Sequence, residues 1–464
     1  MRIHFNGAAQ TVTGSQFLIE VNGSHLLLEC GLFQGHRKDT YQTNLNFPFE
    51  PERVEAVILS HAHIDHSGNL PNLVKRGFHG RIYATPATAD LADIMLQDSG
   101  HIQEADVQFV NRKRAKRGEP PLEPLYTKED AAQVAAYFQK IPYSQPFEPV
   151  KGVIARFVEA GHILGSAAVV LDIEEKGRKT RLWFSGDIGR ERLPLMRDPV
   201  LPENADLLIM ECTYGDKAHR DPEQAYLELR DTVQRTVERK GKIIIPAFAV
   251  GRTQELVYCL NRMVSAGEID PLPVFVDSPL AVNATRVFQK HTDLFDAETQ
   301  EFVRNGIHPA LSFPTLTYIQ SVEESKALND RHEPMIIISA SGMAESGRIL
   351  HHLRNNLQNP RNTVLIVSWQ APNTLGRRLA EREAVVRIFG ELCDRRAEVV
   401  TIGGFSAHAG QDMLLKYAQS SRASIQKLFL VHGEPNAAAA LTARLQESGF
   451  RDIRYPAKGS FFDW

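Results

Sequence analysis

The chain has 464 residues, of which 43% are hydrophobic, and its formal net charge is −3. This length allows two or three domains with a substantial core, and the balanced charge excludes a protein that is basic overall. No window approaches the run of about 18 apolar residues that a membrane-spanning helix requires. The N-terminus has no signal-peptide pattern, so we expect a cytoplasmic protein.

The cysteines are widely spaced and form no Cys-x-x-Cys pair; they are Cys30, Cys212, Cys259 and Cys393. This spacing favours neither a disulfide framework nor a thiolate zinc site. We therefore expect four buried, reduced thiols.

Short strands and turns dominate the predicted structure of the first two hundred residues. A hairpin is predicted around Asn22-Gly23, because this pair is a strong turn signal. The apolar run 57–59 predicts a buried strand, and residues 87–138 are mostly helical by pattern, with an interruption at 118–121. Further strands are predicted at 154–159, 167–174, 181–185 and 206–212.

From about residue 214 the pattern changes to a regular alternation of strands and helices. Such alternation is typical of a parallel sheet that is flanked by helices. The predicted strands here are 242–248, 273–276, 334–339, 362–368 and 398–402. The predicted helices are 252–265, 282–291 and 347–357. The chain ends with a helix from 411, a strand at 427–431, a helix from 436 and a strand near 453.

The segment Ser60-His61-Ala62-His63-Ile64-Asp65-His66 comes directly after the predicted strand 57–59. Imidazole and carboxylate groups are ligands that zinc prefers. His61 and His63 are two residues apart in an extended segment, so their side chains point to the same side. Asp65 and His66 follow at the next turn and point elsewhere, which suggests two metal ions. Two ions need about seven or eight protein ligands, so others must come from elsewhere in the chain.

His162 and Asp187 are the next candidates, because each lies just beyond a predicted strand. Taken alone, each is more typical of an ordinary turn, since Gly-Asp is common turn chemistry. Their order behind the histidine-rich segment favours the interpretation as metal ligands.

This order of residues resembles the metallo-β-lactamase superfamily of binuclear zinc hydrolases. The resemblance implies two zinc ions with Asp187 as the bridge, His61, His63 and His162 on the first ion, and Asp65 and His66 on the second. The family usually has Asp at the end of the hairpin strand, where this chain has Glu29. We expect Glu29 to keep the role of supporting the ligands.

Three further segments, 210–215, 404–410 and 430–434, resemble the A, B and C motifs of the β-CASP branch, whose members process nucleic acids. The resemblance implies an α/β protein, in which a metallo-β-lactamase αββα sandwich (1–213 and 401–464) contains an inserted β-CASP domain (214–400) with a parallel sheet flanked by helices. In this branch, a histidine in the third motif is typical of RNA-directed members. His432 therefore indicates RNA and completes the ligands of the second zinc ion.

The implied activity is hydrolysis of RNA phosphodiester bonds to 5′-phosphate and 3′-hydroxyl products by a hydroxide that bridges the two zinc ions. The predicted catalytic residues are Asp65, Glu211 and His408. His408 is the candidate general acid, and Glu211 orients its imidazole. The chain most resembles bacterial and archaeal relatives of the endonuclease subunit of the cleavage and polyadenylation specificity factor. The pattern leaves open an additional 5′-to-3′ exonuclease activity.

We expect single-stranded RNA to contact the inserted domain through Arg252, Thr253, Ser341, Gly342, Trp369 and Arg377. The basic run 111–117 is interpreted as a solvated helix end, with contact to RNA phosphates as the alternative. The sequence leaves open whether the chain forms a homodimer. The competing functional hypotheses are a small-molecule (thio)ester hydrolase of the same fold, a DNA nuclease and a catalytically silent scaffold.

Overall fold

The structure is a computed structural model that describes residues 1–35, 37–305 and 309–464. Its contacts divide the chain into two units. Unit 1 contains Met1–Glu191, Asp198–Ala218 and His408–Trp464, whereas unit 2 contains Arg192–Arg197 and His219–Ala407. Unit 2 overlaps the segment 214–400, for which the sequence predicts an inserted domain, but it begins later, ends later and also includes Arg192–Arg197.

The first part of unit 1 alternates between short strands and helices. Its strands are β1 (Arg2–Phe5), β2 (Phe17–Val21), β3 (Ser24–Leu28), β4 (Ala56–Ile58), β5 (Arg81–Ala84), β6 (Phe138–Lys140), β7 (Phe147–Val150), β8 (Val153–Glu159), β9 (Ala167–Glu175), β10 (Arg178–Phe184) and β11 (Leu207–Glu211). Its helices are α1 (Arg37–Leu45), α2 (Ile64–Ser67), α3 (Leu70–Lys75), α4 (Pro86–Ala115) and α5 (Lys128–Gln133).

Unit 2 follows, and the chain then returns to unit 1. The helices of unit 2 are α6 (Pro222–Glu238), α7 (Arg252–Ser265), α8 (Pro279–Lys290), α9 (Ala297–Asn305), α10 (Val322–Ala327), α11 (Ile349–Asn356) and α12 (Leu375–Ala380). Its strands are β12 (Ile243–Pro246), β13 (Val274–Asp277), β14 (Leu316–Ile319), β15 (Ile336–Ser339), β16 (Thr363–Ile366), β17 (Val385–Ile388), β18 (Glu391–Asp394) and β19 (Glu398–Thr401). The returning segment contains α13 (Gln411–Gln419), β20 (Lys427–Val431), α14 (Pro435–Glu447), β21 (Ile453–Arg454) and β22 (Ser460–Asp463).

Two seven-stranded sheets form the sandwich of unit 1. Their strand orders are β22-β1-β2-β3-β4-β5-β6 and β21-β20-β11-β10-β9-β8-β7. Apolar side chains from both sheets share one buried core, for example Phe5, Phe17, Phe157 and Phe184. The outer face of the second sheet is covered by α13 and α14, and there the indole of the buried Trp183 donates a 2.7 Å hydrogen bond to the hydroxyl of Tyr417.

The segment predicted as mostly helical over 87–138 has a more specific structure. After α4 ends at Ala115, the chain turns back and lies along the same helix before α5 begins. The side chain of Asn111 fixes this return, because it donates to the carbonyl of Leu122 and accepts from the amide of the same residue. A side-chain amide that pairs with backbone in this way has no periodic sequence signal, so the pattern did not predict it.

Unit 2 contains a six-stranded sheet of order β14-β13-β15-β12-β16-β19, in which every pair is parallel. The central strands are continuous buried runs such as Ile243–Pro246 and Ile336–Ser339. Strands buried on both faces are typical of a parallel sheet with helices on each side, so the predicted architecture of this unit is confirmed.

The four cysteines are buried and unpaired, as predicted. Among the helices that the structure describes, none is both long enough and apolar enough to cross a membrane.

Candidate metal centre

The predicted ligands lie where strands of unit 1 end. β10, β11 and β20 are parallel neighbours, and β8 runs in the same direction as β10, because β9 pairs antiparallel with both. The carboxyl ends of these strands therefore meet at one edge of their sheet. His162, Asp187, Glu211 and His432 all lie at or just beyond these ends, and the segment 61–66 follows β4 of the facing sheet.

Four donor atoms form a first cluster, made by His61, His63, His162 and Asp187. His63 Nδ1 lies 3.0 Å from His61 Nε2 and 3.2 Å from His162 Nε2. Asp187 Oδ2 lies 3.6 Å from both His61 Nε2 and His162 Nε2. Ligands around a tetrahedral zinc ion at about 2.0–2.1 Å are separated by about 3.3–3.4 Å, so these spacings suit such an ion.

A second cluster lies beside the first and shares Asp187 with it. His432 Nε2 lies 3.3 Å from Asp65 Oδ2, and His66 Nε2 lies 3.9 Å from the same oxygen. Asp187 Oδ1 is 3.3 Å from His66 Nε2, whereas Oδ2 belongs to the first cluster. The two carboxylate oxygens of Asp187 therefore face different clusters, as a bridging ligand requires.

Burial keeps three imidazoles in the form that binds metal. It lowers the pKa of His61 and His162 well below the ordinary value, and it lowers the pKa of His63 to about 4. These rings are therefore neutral at pH 7, and neutral imidazole is the ligand form. His66 differs: burial acts to lower its pKa, but the neighbouring carboxylates of Asp187 and Asp65 outweigh burial and raise it.

Several buried polar atoms of these clusters have no hydrogen-bond partner among the residues that the structure describes, namely His66 Nε2, His162 Nδ1 and Asp187 Oδ1. Although His66 Nε2 and Asp187 Oδ1 face each other at 3.3 Å, their geometry is not that of a hydrogen bond. A buried polar atom without a partner costs about 1–3 kcal/mol. Divalent metal ions would satisfy His66 Nε2 and Asp187 Oδ1, and the residues present fit such ions.

Side chains behind the ligands hold the imidazoles in place. Glu29, the predicted supporting residue, is fully buried; its Oε2 lies 2.8 Å from His66 Nδ1, and its Oε1 accepts a 2.6 Å hydrogen bond from the amide of Ser60. Sequence reasoning missed two hydroxyls. Ser60 Oγ lies 3.0 Å from His61 Nδ1, and Thr213 Oγ1 lies 3.1 Å from His432 Nδ1. Ser60 directly precedes His61, and Thr213 lies two residues after Glu211. This closeness in sequence to predicted site residues was the signal that could have identified them.

Glu211 and His408 meet beside this centre although 196 residues separate them in the chain. His408 Nδ1 lies 3.2 Å from each carboxylate oxygen of Glu211 and 3.8 Å from Asp187 Oδ2. Glu211 is buried and accepts a 2.6 Å hydrogen bond from the amide of Ile188, whereas the His408 side chain is 23% exposed. Burial acts to lower the pKa of His408, but Glu211 and Asp187 outweigh it and raise this pKa to about 9.

The predicted substrate-contacting residues all lie in unit 2, in different surroundings. Arg252 is buried and forms an ion pair with Glu255, and the Thr253 hydroxyl donates to the carbonyl of Phe248. Both side chains therefore have partners within unit 2. Trp369 is 48% exposed, and Arg377 is exposed and paired with Glu381. Gly342 is buried, and the hydroxyl of Ser341 accepts a hydrogen bond from the amide of Glu345.

Family models match nearly the whole chain in consecutive segments. Residues 10–247 match the metallo-beta-lactamase superfamily, residues 253–379 match the Beta-Casp domain, and residues 393–456 match the Zn-dependent metallo-hydrolase RNA specificity domain.

Curated relatives align over most of the chain. Ribonuclease TTHA0252 of Thermus thermophilus is 36% identical and covers 95% of each chain. The RNase J-like protein of Methanocaldococcus jannaschii is 30% identical over 93% of this chain and 92% of its own. Transcription termination factor FttA of Pyrococcus abyssi is 29% identical over 98% of this chain and 70% of its own.

A solved structure of a protein of unknown function from Enterococcus faecalis shares the fold, with a TM-score of 0.57, 14% identity and 99% coverage of both chains. The family-model matches over both units and the curated relatives identify the chain as a metal-dependent hydrolase that belongs to the β-CASP branch of the metallo-β-lactamase superfamily.

Proposed function

We propose that this chain is a zinc-dependent ribonuclease that hydrolyses phosphodiester bonds of single-stranded RNA and leaves 5′-phosphate and 3′-hydroxyl ends. The observation that carries the proposal is the position of His408, a partly exposed imidazole at 3.8 Å from the shared carboxylate Asp187. A (thio)ester hydrolase needs the metal ligands but no such proton donor beside them. The relatives named as ribonucleases support RNA as the substrate.

The proposed ligands are those of the two clusters. His61, His63 and His162 would hold one zinc ion, Asp65, His66 and His432 would hold another, and Asp187 would bind both. Bound metal ions would supply a nucleophile from water at neutral pH and neutralise charge on the phosphate. Glu29, Ser60 and Thr213 orient the imidazoles through their second nitrogens, which is how ligand rings are commonly fixed.

His408 acts as the general acid in this proposal. Glu211 holds its Nδ1 and favours the protonated ring, which leaves Nε2 to deliver a proton to the departing 3′-oxygen. The amide of Ile188 donates to Glu211 Oε1, which also faces His408 Nδ1, so a backbone group fixes the carboxylate that orients the acid.

The test is incubation of the purified chain with 3′-labelled single-stranded RNA that begins with a 5′-hydroxyl, and with DNA of the same sequence, each with and without a chelator. We expect cleavage of RNA that stops with the chelator and returns with added zinc, and products that a 5′-phosphate-dependent exonuclease degrades. Preferential cleavage of DNA would contradict the proposal, as would RNA cleavage that is insensitive to the chelator. Hydrolysis of a thioester with no cleavage of RNA would favour the alternative hydrolase.

The balance of endonuclease and exonuclease activity, the homodimer and the cytoplasmic location stay predictions. RNAs with 5′-phosphate, 5′-triphosphate and blocked ends would determine that balance, because an exonuclease that enters at the 5′ end depends on the group found there.

A further inference from the structure

The second half of α4 has no fully buried residue. All the fully buried residues of this helix lie between Ala87 and Gly100. The remaining part, up to Ala115, is about 22 Å long at 1.5 Å per residue. A helical segment that does not pack on the core of its domain needs other contacts to be stable.

The returning chain covers one side of this half. The carbonyl of Leu122 accepts from Asn111, and that of Pro120 accepts a 2.7 Å hydrogen bond from Arg114 Nε. Nearer the start, the amide of Lys128 donates to Glu104. Glu104, Asn111 and Arg114 lie within about 80° of one another around the helix at 3.6 residues per turn, so they form one side.

The opposite side is open and carries an apolar and basic stripe made of Ile102, Phe109, Lys113 and Lys116. These positions fall within about 60° of one another, on average about half a turn away from the covered side. Ile102 is 55% exposed and Phe109 is 53% exposed. Lys113 Nζ lies 4.4 Å from the centroid of the Phe109 ring.

Positive charge accumulates at this end of the helix although the net charge of the whole chain is −3. Within the residues that the structure describes, no ion pair joins Lys113, Lys116 or Arg117 to a carboxylate. Asp106 is the acidic residue on this side. An aromatic ring beside uncompensated cations is the combination with which proteins bind single-stranded nucleic acid, by stacking on bases and by contact with phosphates.

We propose that this stripe is an accessory binding surface for single-stranded RNA and contacts the substrate away from the scissile bond. The inference rests on the proposed function. Lys113 and Lys116 contact backbone phosphates, and Phe109 provides an apolar face for a base. Charge complementarity favours RNA, which carries a negative charge on every phosphate, over a second copy of this chain, whose net charge is only −3.

The experiment measures binding of a fluorescein-labelled 30-nucleotide oligouridylate at several salt concentrations, in a His408→Ala background that prevents cleavage. We expect Lys113→Gln/Lys116→Gln to weaken binding about tenfold at 0.1 M salt and to reduce the salt slope by about 1.4. Phe109→Ala should weaken binding about fivefold or more with little change in the slope. The matched control is Lys151→Gln/Lys179→Gln, which removes the same charge from two exposed lysines of unit 1 and should change binding little.

Equal losses in both double variants would overturn the proposal, because only net charge would then matter. If Lys113→Gln/Lys116→Gln bound RNA like wild type and changed only the melting temperature, the two lysines would stabilise the helix end and would not bind RNA. A change of oligomeric state in Phe109→Ala with unchanged RNA affinity would indicate a protein contact instead. Failure of the wild-type chain to cleave RNA would contradict the proposed function and is measured separately, so the two failures are distinguishable.

Discussion

Clusters of buried charged and polar groups lie at strand ends in both units, but they are satisfied in different ways. In unit 2, Asp277 ends β13 and its carboxylate accepts hydrogen bonds from Arg348 at 2.6 Å and from Ser325 at 2.5 Å, while His352 Nε2 lies 2.6 Å away. Its carbonyl accepts from the hydroxyl of Ser339. In unit 1, the metal-binding candidates around Asp187 include atoms, such as His66 Nε2 and Asp187 Oδ1, that have no hydrogen-bond partner among the described residues.

The difference separates a structural cluster from a functional one. In the Asp277 cluster the carboxylate is compensated by groups of the chain itself, and within the described part of the chain His352 Nδ1 is the one atom of this cluster without a partner. Around Asp187, imidazoles and carboxylates converge at spacings that suit a shared cation. Buried charge that the chain satisfies stabilises the fold, whereas buried charge that it leaves unsatisfied indicates a ligand.

The largest expected effect is the loss of RNA cleavage when His408 beside the Asp187 cluster is replaced. We expect His408→Ala to lower the rate of RNA cleavage by about 10²–10⁴-fold, because the leaving oxygen loses its proton donor. Zinc content, measured by elemental analysis, should stay unchanged, since His408 is not a proposed ligand. The exposed His332→Ala of unit 2 is the control. A wild-type rate in His408→Ala would remove His408 from the proposed mechanism.

A substitution in the Asp277 cluster should lower the stability of the fold. Asp277→Asn is expected to lower the free energy of unfolding by about 3 kcal/mol, because Arg348 and His352 lose a buried carboxylate. Urea titration followed by circular dichroism measures this. Asp231→Asn, which alters an exposed pair with Arg230, should cost under about 1 kcal/mol. Equal costs for the two variants would contradict the distinction between buried and exposed pairs.

A third variant tests the support of the metal ligands. Glu29→Gln should weaken zinc binding by about 10–100-fold, because the amide is a poorer acceptor for His66 Nδ1 than the carboxylate. Competition with a fluorescent chelator measures the affinity. Glu55→Gln, an exposed site in the same unit, should bind zinc like wild type. If Glu29→Gln bound zinc equally well, Glu29 would serve packing alone.

The smallest effect concerns acid stability. Burial acts to raise the pKa of Asp277, but the hydrogen bonds from His352, Ser325 and Arg348 outweigh it and lower this pKa. The ionised carboxylate therefore stabilises the fold at pH values above its pKa in the unfolded chain, which is about 3.9. This contribution is lost as the pH falls through the lower pKa of the folded chain. The stability difference between wild type and Asp277→Asn should stay constant from pH 7 to about 5 and shrink below about pH 4. A difference that grew on acidification would contradict the assigned sign.

The sequence by itself determined the fold class and predicted the candidate metal ligands. Histidines and carboxylates after apolar strands are local patterns, and the order of His61, His162 and Asp187 along the chain was enough to associate them. The alternation of strands and helices likewise predicted the parallel sheet of unit 2, because burial on both faces leaves continuous apolar runs.

Only the tertiary structure decided which atoms meet. The division of the two Asp187 oxygens between clusters, the hydroxyls of Ser60 and Thr213 beside ligand rings, and the burial of Arg252 all depend on contacts between distant segments. The same holds for the two sides of α4, since the segment that covers one of them follows the helix without a periodic pattern. Sequence periodicity indicates which residues of an element are buried. The hydrogen-bond partner of a buried polar atom often lies on another element that is distant in sequence, so it is known only once the elements are packed.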